Sequence, residues 1–309
     1  MASNLVSRSN HALDLNGNTV NGATADIAIT THGSDLYFAI CAAMGFAGFA
    51  FVGLAMRKHR RDRLFHYITA AVVFVACIAY FTMGSNLGFT PIQVEFPRND
   101  PVVRGQYREI FYVRYIDWVI TTPLLLLDLL LTAGMPWPTI LWTLLIDEIM
   151  IITGLVGALV VSRYKWAYFT FGCIALFYIV YVLAFEARKN SAHYGAEVKK
   201  AFLYCGSLTT FLWILYPIAW GLCEGGNVIS PDSEAIFYGI LDFLAKPCFG
   251  ALLIWGHRNI DPASIGMAIR DYEDDAVVRE KRHLAPQNNG IAPPLDGPAN
   301  TTATNGHQV

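Results

Sequence analysis

Long apolar runs separated by short polar punctuation dominate this chain. A bilayer core needs about 20 apolar residues in a helix, because lipid leaves backbone N–H and C=O groups without partners. Seven windows reach that length, at 34–56, 66–88, 109–132, 138–161, 164–186, 200–222 and 233–256. Gly, Pro, Asn and charged residues stand between them, as in 132–138 (TAGMPWP) and 224–231 (EGGNVISP). The pattern predicts an all-α membrane protein whose residues 34–257 form a bundle of seven transmembrane helices. Residues 1–33 are polar and lack the apolar stretch of a cleavable signal peptide. Beyond Arg258 the chain turns charged and rich in Pro, Gly and Asn, so 258–309 reads as a largely disordered tail.

Orientation follows from Lys and Arg near the span ends. The first loop carries Arg57, Lys58, Arg60, Arg61 and Arg63, and the fifth carries Arg188, Lys189, Lys199 and Lys200. Arg98, Arg104, Arg108, Arg163 and Lys165 on the other side are less clustered. The N-terminal segment is therefore expected outside and the tail in the cytoplasm, with the plasma membrane as the expected location. Charged residues make up only 15% of the chain and the net charge is −2, which leaves no basic face for nucleic acid. The partners expected are protons and membrane lipids, with a homo-oligomer left open. All six cysteines lie in or beside apolar stretches, without CxxC or Cys/His ligand spacing, so neither a disulfide framework nor a metal site is expected.

Within the windows sit Arg114, Asp117, Asp128, Asp147, Glu148, Asp242 and Lys246. Each costs roughly 2.5–3.5 kcal/mol at a helix centre on insertion scales. Ion pairs that specify helix packing are one explanation; a proton relay or ligand site is the other. Spacing sharpens the choice. Asp117 and Asp128 are eleven residues apart, about three helical turns, so they share one face with some 16 Å between them. Arg114, one turn from Asp117, is placed to keep that carboxylate ionised, whereas the leucines around Asp128 favour its neutral form.

Asp242 and Lys246 are four apart and share a face of the last span. Lys246 is the only one of seven lysines within an apolar run. A desolvated amine loses its proton readily and attacks aldehydes, which is what a Schiff base requires; a lysine neutralised by Asp242 for structural reasons is the alternative. Trp118 on the third span, with Trp213, Tyr216 and Trp220 in one stripe of the sixth beside Pro217, could wall a slot for a long conjugated aldehyde, although such a stripe serves core packing equally well. The eight histidines fall in loops, tails or span ends, so no histidine switch is expected in mid-membrane.

The third-span run Arg-Tyr-Ile-Asp-Trp-Val-Ile-Thr-Thr-Pro-Leu-Leu-Leu-Leu-Asp (114–128) and the seventh-span Leu241-Asp242-Phe243-Leu244-Ala245-Lys246 resemble the microbial (type I) rhodopsins, especially the bacteriorhodopsin-like fungal opsins. The likeness extends through Asp147–Leu159 and Trp213–Trp220 and covers nearly all seven spans. It implies all-trans retinal bound as a Schiff base to Lys246, Asp117 as primary proton acceptor and Asp242 as second counter-ion. Asp128 would be the cytoplasmic donor, with Thr69 in the place of its hydrogen-bond partner. Arg114, Tyr80 and Tyr216 would organise the counter-ion network, and Glu224 and Glu234 would stand where the extracellular release group stands. Trp118, Thr121, Thr122, Met150, Trp213 and Trp220 would line retinal, with Leu125 where an apolar residue accompanies green absorption.

Four departures bear on the transfer. Pro247 directly follows the lysine, freeing the Phe243 carbonyl and bending the last helix. Glu148 adds a carboxylate beside Asp147, Phe169 replaces a usual pocket tryptophan, and Trp220 and Glu224 are one residue closer than in bacteriorhodopsins. The function implied is light-driven outward proton transport, from Asp128 through the Lys246 nitrogen to Asp117. A photosensor of the same fold is the alternative, although sensors usually lack a carboxylate at the position of Asp128. A channel or other ion pump would be expected to alter Asp117, Thr121 or Asp128, and a retinal-free relative would not need Lys246.

Overall fold

The computed structural model describes residues 10–94, 103 and 105–267; the expected tail beyond 267, with Arg98 and Arg104, lies outside the described residues. Among the described residues, seven helices are long and apolar enough to cross a membrane: α1 (Thr31–Ala55), α2 (Leu64–Gly84), α3 (Tyr112–Thr132), α4 (Trp137–Leu159), α5 (Lys165–Tyr194), α6 (Ala196–Gly225) and α7 (Pro231–Asn259). Their starts carry recognisable caps. The Thr30 hydroxyl accepts from the His32 N–H at the head of α1, and Ser230 accepts from the Ser233 N–H ahead of Pro231 on α7.

Each helix packs against the next in chain order, α7 closes the ring on α1, and α3 also meets α6 across the centre. On α3 the buried residues Arg114, Asp117, Trp118, Thr121, Thr122, Leu125, Asp128, Leu129 and Thr132 recur every three or four positions, one face turned into the bundle. The opposite faces are as apolar as the core. Phe46, Phe49, Ile174, Phe177 and Phe185 point outward, where acyl chains solvate them as well as a protein interior would.

The all-α expectation needs two additions. Strands β1 (Thr19–Val20) and β2 (Ala23–Thr24) pair across Asn21-Gly22, whose φ values of 51° and 81° suit a tight hairpin turn. Strands β3 (Thr90–Gln93) and β4 (Tyr107–Ile110) pair antiparallel, with Ile92 opposite Arg108 and Pro91 opposite Glu109. The third window was therefore set three residues too early: 107–110 belongs to β4, and α3 starts at Tyr112. The hairpin lies over the end of the bundle with Arg108 and Glu109 buried. Ile27 bridges to β4, so the polar N-terminal segment is partly ordered against it.

Helix α5 runs to Tyr194, past the window end at 186. It contains a π-turn at Val182–Ala187; two more lie at Gly221–Gly225 in α6 and at Leu244–Cys248 in α7. The last encloses Lys246 and Pro247. Proline has no N–H to give, so the helix widens by one residue there rather than ending.

Gly134 follows α3 at φ 66°, and a Cβ there would penetrate the Tyr194 ring. Gly134→Ala should lower stability by about 2 kcal/mol, read as an earlier thermal transition in detergent. An unchanged transition would show that neither the backbone conformation nor the ring contact is restrictive.

Candidate functional site

Lys246 leaves the α7 π-turn and is 2% exposed. Its Nζ donates to an Asp117 carboxylate oxygen on α3 and stands 3.5 Å from Asp242 Oδ2. Asp242 is held in turn by three helices: Tyr216 donates from α6 at 2.6 Å, Tyr80 from α2 at 2.7 Å and the Trp118 indole from α3 at 3.4 Å. One buried ammonium thus faces two buried carboxylates, and the hydroxyl donors take up the negative charge left over. The expected contact of Arg114 with Asp117 is corrected. Arg114 turns to the hairpin end of the bundle, where its NH1 donates to Glu234 at 2.6 Å and lies 3.4 Å from Glu224, and its NH2 donates to Tyr37 at 3.0 Å.

A cavity of about 790 Å³, its mouth included, reaches Lys246 between α3, α4, α5, α6 and α7. Trp118, Thr122, Leu125, Met150, Trp213, Tyr216 and Trp220 line it, as expected from the sequence. Thr121 and Tyr80 stand behind the wall, Thr121 donating to the Asp117 carbonyl at 2.9 Å. Tyr115, Gly154, Gly172 and Cys173 also line it; nothing in their spacing singled them out. Phe169 stacks on Trp220 with ring centroids 5.0 Å apart, so it fills its place in the wall. The Thr122 hydroxyl lies 2.8 Å from Asp147, joining α3 to α4, whereas Glu148 is only partly covered.

Beyond Asp117 lies a dense polar cluster. Glu234 accepts from Arg108 at 2.7 Å as well as from Arg114. Glu224 accepts from Tyr115 and Tyr238, each at 3.1 Å, and the Lys165 ammonium donates to the Glu224 carbonyl at 2.9 Å. Lys165 is 2% exposed, so Lys246 is not the only buried lysine. The π-turn at Gly221–Gly225 carries Glu224 inward. Cys223, Glu224 and Glu234 offer ligand atoms within 4.8 Å of one another, but two guanidinium groups already engage the carboxylates, and the geometry is that of an ion-pair cluster. Arg108, Tyr37 and Tyr238 were missed because the hairpin and two separate helices bring them in.

At the opposite end, Asp128 is fully buried and neither carboxyl oxygen has a hydrogen-bond partner among the described residues. The expected pairing with Thr69 is absent: Thr69 Oγ1 is bonded to the Phe65 and His66 carbonyls of its own helix. The two histidines at span ends are partly or fully covered: His66 is buried near the start of α2, and half-buried His257 near the end of α7 makes contacts at both ring nitrogens, at 2.9 Å to the Leu253 carbonyl and 3.2 Å to the Thr132 hydroxyl.

The family model for bacteriorhodopsin-like proteins matches residues 32–260. The chain belongs to the bacteriorhodopsin-like family. It is 66% identical over 274 residues to the opsin-like protein carO of Fusarium fujikuroi, covering 89% of each chain. Two solved structures are similar at 35% identity. The light-driven proton pump LR (Mac) of Leptosphaeria maculans matches with TM-score 0.72 over 77% of this chain and 99% of its own. The light-driven proton pump rhodopsin CsR of Coccomyxa subellipsoidea matches with TM-score 0.71 over 75% and 99%. Bacteriorhodopsin-like proteins are light-driven pumps and photoreceptors rather than enzymes, seven-helix integral membrane proteins that generally hold retinal as a Schiff base on a lysine. The apolar, aromatic-walled cavity reaching a buried amine fits that group.

Glu109 offers a test of the hairpin end. Its Oε2 accepts from the Ile29 N–H at 2.9 Å and Oε1 has no partner among the described residues. Burial pushes its carboxyl up to about 7, against that hydrogen bond, with Glu234 adding repulsion. The folded protein therefore retains a proton that the unfolded chain loses near 4.5, and stability falls as pH rises from there through about 7. The full penalty is about 3 kcal/mol. In Glu109→Gln the thermal transition should be flatter across this window; equal slopes in both proteins would refute the assignment.

Proposed function

We propose that this protein is a light-driven outward proton pump carrying all-trans retinal as a Schiff base on Lys246. The observation that carries the reading is the arrangement of three sets of buried ionisable groups along one bundle. Asp128 is dry and unpartnered at one end, Lys246 lies against Asp117 and Asp242 in the middle, and the Arg108–Arg114–Glu224–Glu234 cluster forms the other end. Retinal, when bound, supplies light absorption and an isomerisation that reorients the proton on the lysine nitrogen.

The remaining work belongs to the side chains. Asp117, already in contact with Lys246 Nζ, accepts the proton; Asp242, held by Tyr80, Tyr216 and Trp118, stays charged beside it and steadies the cation. Arg114 is the link outward, because it binds Glu234 and approaches Glu224, where we place release. Asp128 returns a proton to the lysine from the other side; a carboxyl without ionic partners in a leucine sheath keeps its proton until one is demanded. Trp118, Thr122, Leu125, Met150, Trp213, Tyr216 and Trp220 hold the chromophore and exclude water, and Thr121 braces the Asp117 turn. Two similar structures, LR (Mac) and CsR, are light-driven proton pumps, which supports the same reading here. The basic first and fifth loops favour an outside N-terminus, 1–33, and a cytoplasmic tail, 258–309, on a 34–257 retinal domain in the plasma membrane.

Illuminated cells or vesicles should show acidification of the outward side that a protonophore abolishes; coloured protein without it would instead favour a photosensor. Lys246→Ala should stay colourless on reconstitution with retinal. Asp128→Asn should slow the return to the dark state by about a hundredfold, and unchanged kinetics would remove it as donor.

A further inference from the structure

We propose that His257 is the cytoplasmic proton-uptake station that reloads Asp128 through the Thr132 hydroxyl. This deepens the pump reading and rests on it, since it names the group that draws the next proton from water.

The case begins with counting hydrogens. The His257 ring stacks on Phe65 of α2, centroids 4.1 Å apart, at the end of α7. Its Nδ1 lies 2.9 Å from the Leu253 carbonyl, which can only accept, so Nδ1 carries a hydrogen in either charge state. Its Nε2 lies 3.2 Å from Thr132 Oγ1, and that oxygen lies 2.6 Å from the main-chain carbonyl of Asp128. The Thr132 hydroxyl has one hydrogen and two acceptors competing for it. With a neutral ring it must turn to Nε2 or leave that lone pair unserved. With a charged ring, Nε2–H donates to Thr132 and the hydroxyl donates to Asp128. Only the imidazolium makes all three contacts at once, so one proton on Nε2 sets a hydroxyl bonded to Asp128's own backbone.

Position suits the two groups to consecutive tasks. His257 is half-buried near the end of α7, whereas Asp128 is fully buried. The titratable neighbour facing the ring from α2 is His66, with Lys58 acting on His66 from the loop. From α3 it is Asp128, reached through Thr132; α6 meets this end of α7 with Ala201 against Gly256, and Arg258 turns away to lie over Trp255. While Asp128 holds its proton, nothing in this set balances a charge on His257. Once Asp128 has given its proton up, a carboxylate without partners in a leucine sheath attracts one to Nε2. The N–H bond at Nε2 then breaks as Thr132 Oγ1 takes that proton; the Thr132 hydroxyl swings from the Asp128 main-chain carbonyl to the unpartnered carboxylate of the same residue and gives up its own hydrogen, so that an O–H bond forms there. The ring returns to neutral, and one proton has moved from the cytoplasm to Asp128 with nothing else consumed.

The test uses the full chain with retinal in lipid vesicles and a pH-sensitive dye on the cytoplasmic side, after a flash, between about pH 5 and 9. In the unmodified protein the uptake rate should vary weakly with pH. In His257→Gln it should fall roughly a hundredfold at neutral pH, drop about tenfold per pH unit, and recover with imidazole buffer. Thr132→Val, which leaves the ring in place, should acquire the same pH slope. In the dark, ring nitrogen NMR should find Nδ1 protonated in the neutral form and Nε2 titrating. A purely structural His257 would change pigment yield or thermal stability and leave the pH slope of surviving pigment alone, and that result overturns the proposal. So does a neutral ring with its hydrogen on Nε2. If the unmodified protein shows no flash-induced uptake, the pump reading falls too; uptake unchanged in His257→Gln would sink the relay alone.

Discussion

A single ammonium held between two carboxylates, in a bundle that keeps water out, is the constraint from which the architecture follows. Lys246 cannot be left alone at 2% exposure, and neither can Asp117 or Asp242. Removing one partner from such a buried set costs about 3–5 kcal/mol, because the remaining charge has nowhere to go. The surplus negative charge explains why Tyr80, Tyr216 and Trp118 aim their donors at Asp242 from three different helices. Those contacts fix how α2, α3, α6 and α7 sit around one point, and the apolar cavity is what they leave beside it.

The two ends of the bundle solve opposite problems. At the hairpin end, charge is abundant and mutually neutralised: two arginines and a lysine meet two glutamates, three tyrosines and main-chain carbonyls. At the other end Asp128 is fully buried with neither carboxyl oxygen hydrogen-bonded among the described residues, while its main-chain carbonyl accepts from the Thr132 hydroxyl. The two ends thus differ in kind: one holds paired charges, the other a lone buried carboxyl.

Backbone irregularity serves the same end. The π-turns in α6 and α7 fall where side chains must reach unusual positions, at Glu224 and at Lys246. Pro247 makes the second intelligible, since a missing N–H widens the turn in which the lysine is set. We have no comparable account of the π-turn at Val182–Ala187.

Seven spans, their approximate limits and the central trio of Lys246, Asp117 and Asp242 were legible in the chain itself. Lipid demands continuous apolar helix, and an ionisable residue inside such a run stands out at once. Spacing along one helix also placed Asp117 and Asp128 on a common inward face, because that relation needs only 100° per residue. What lay between helices was decided by tertiary structure. Arg114 is one turn from Asp117 in sequence, yet its guanidinium is engaged by Glu234 on α7. Thr69 spent its hydroxyl on its own backbone, Lys165 was buried by a neighbouring carbonyl, and His257 at a span end became a half-buried ring above Asp128. A long or rotatable polar side chain settles wherever its partners converge, and convergence of separate helices leaves no periodic trace in a linear sequence.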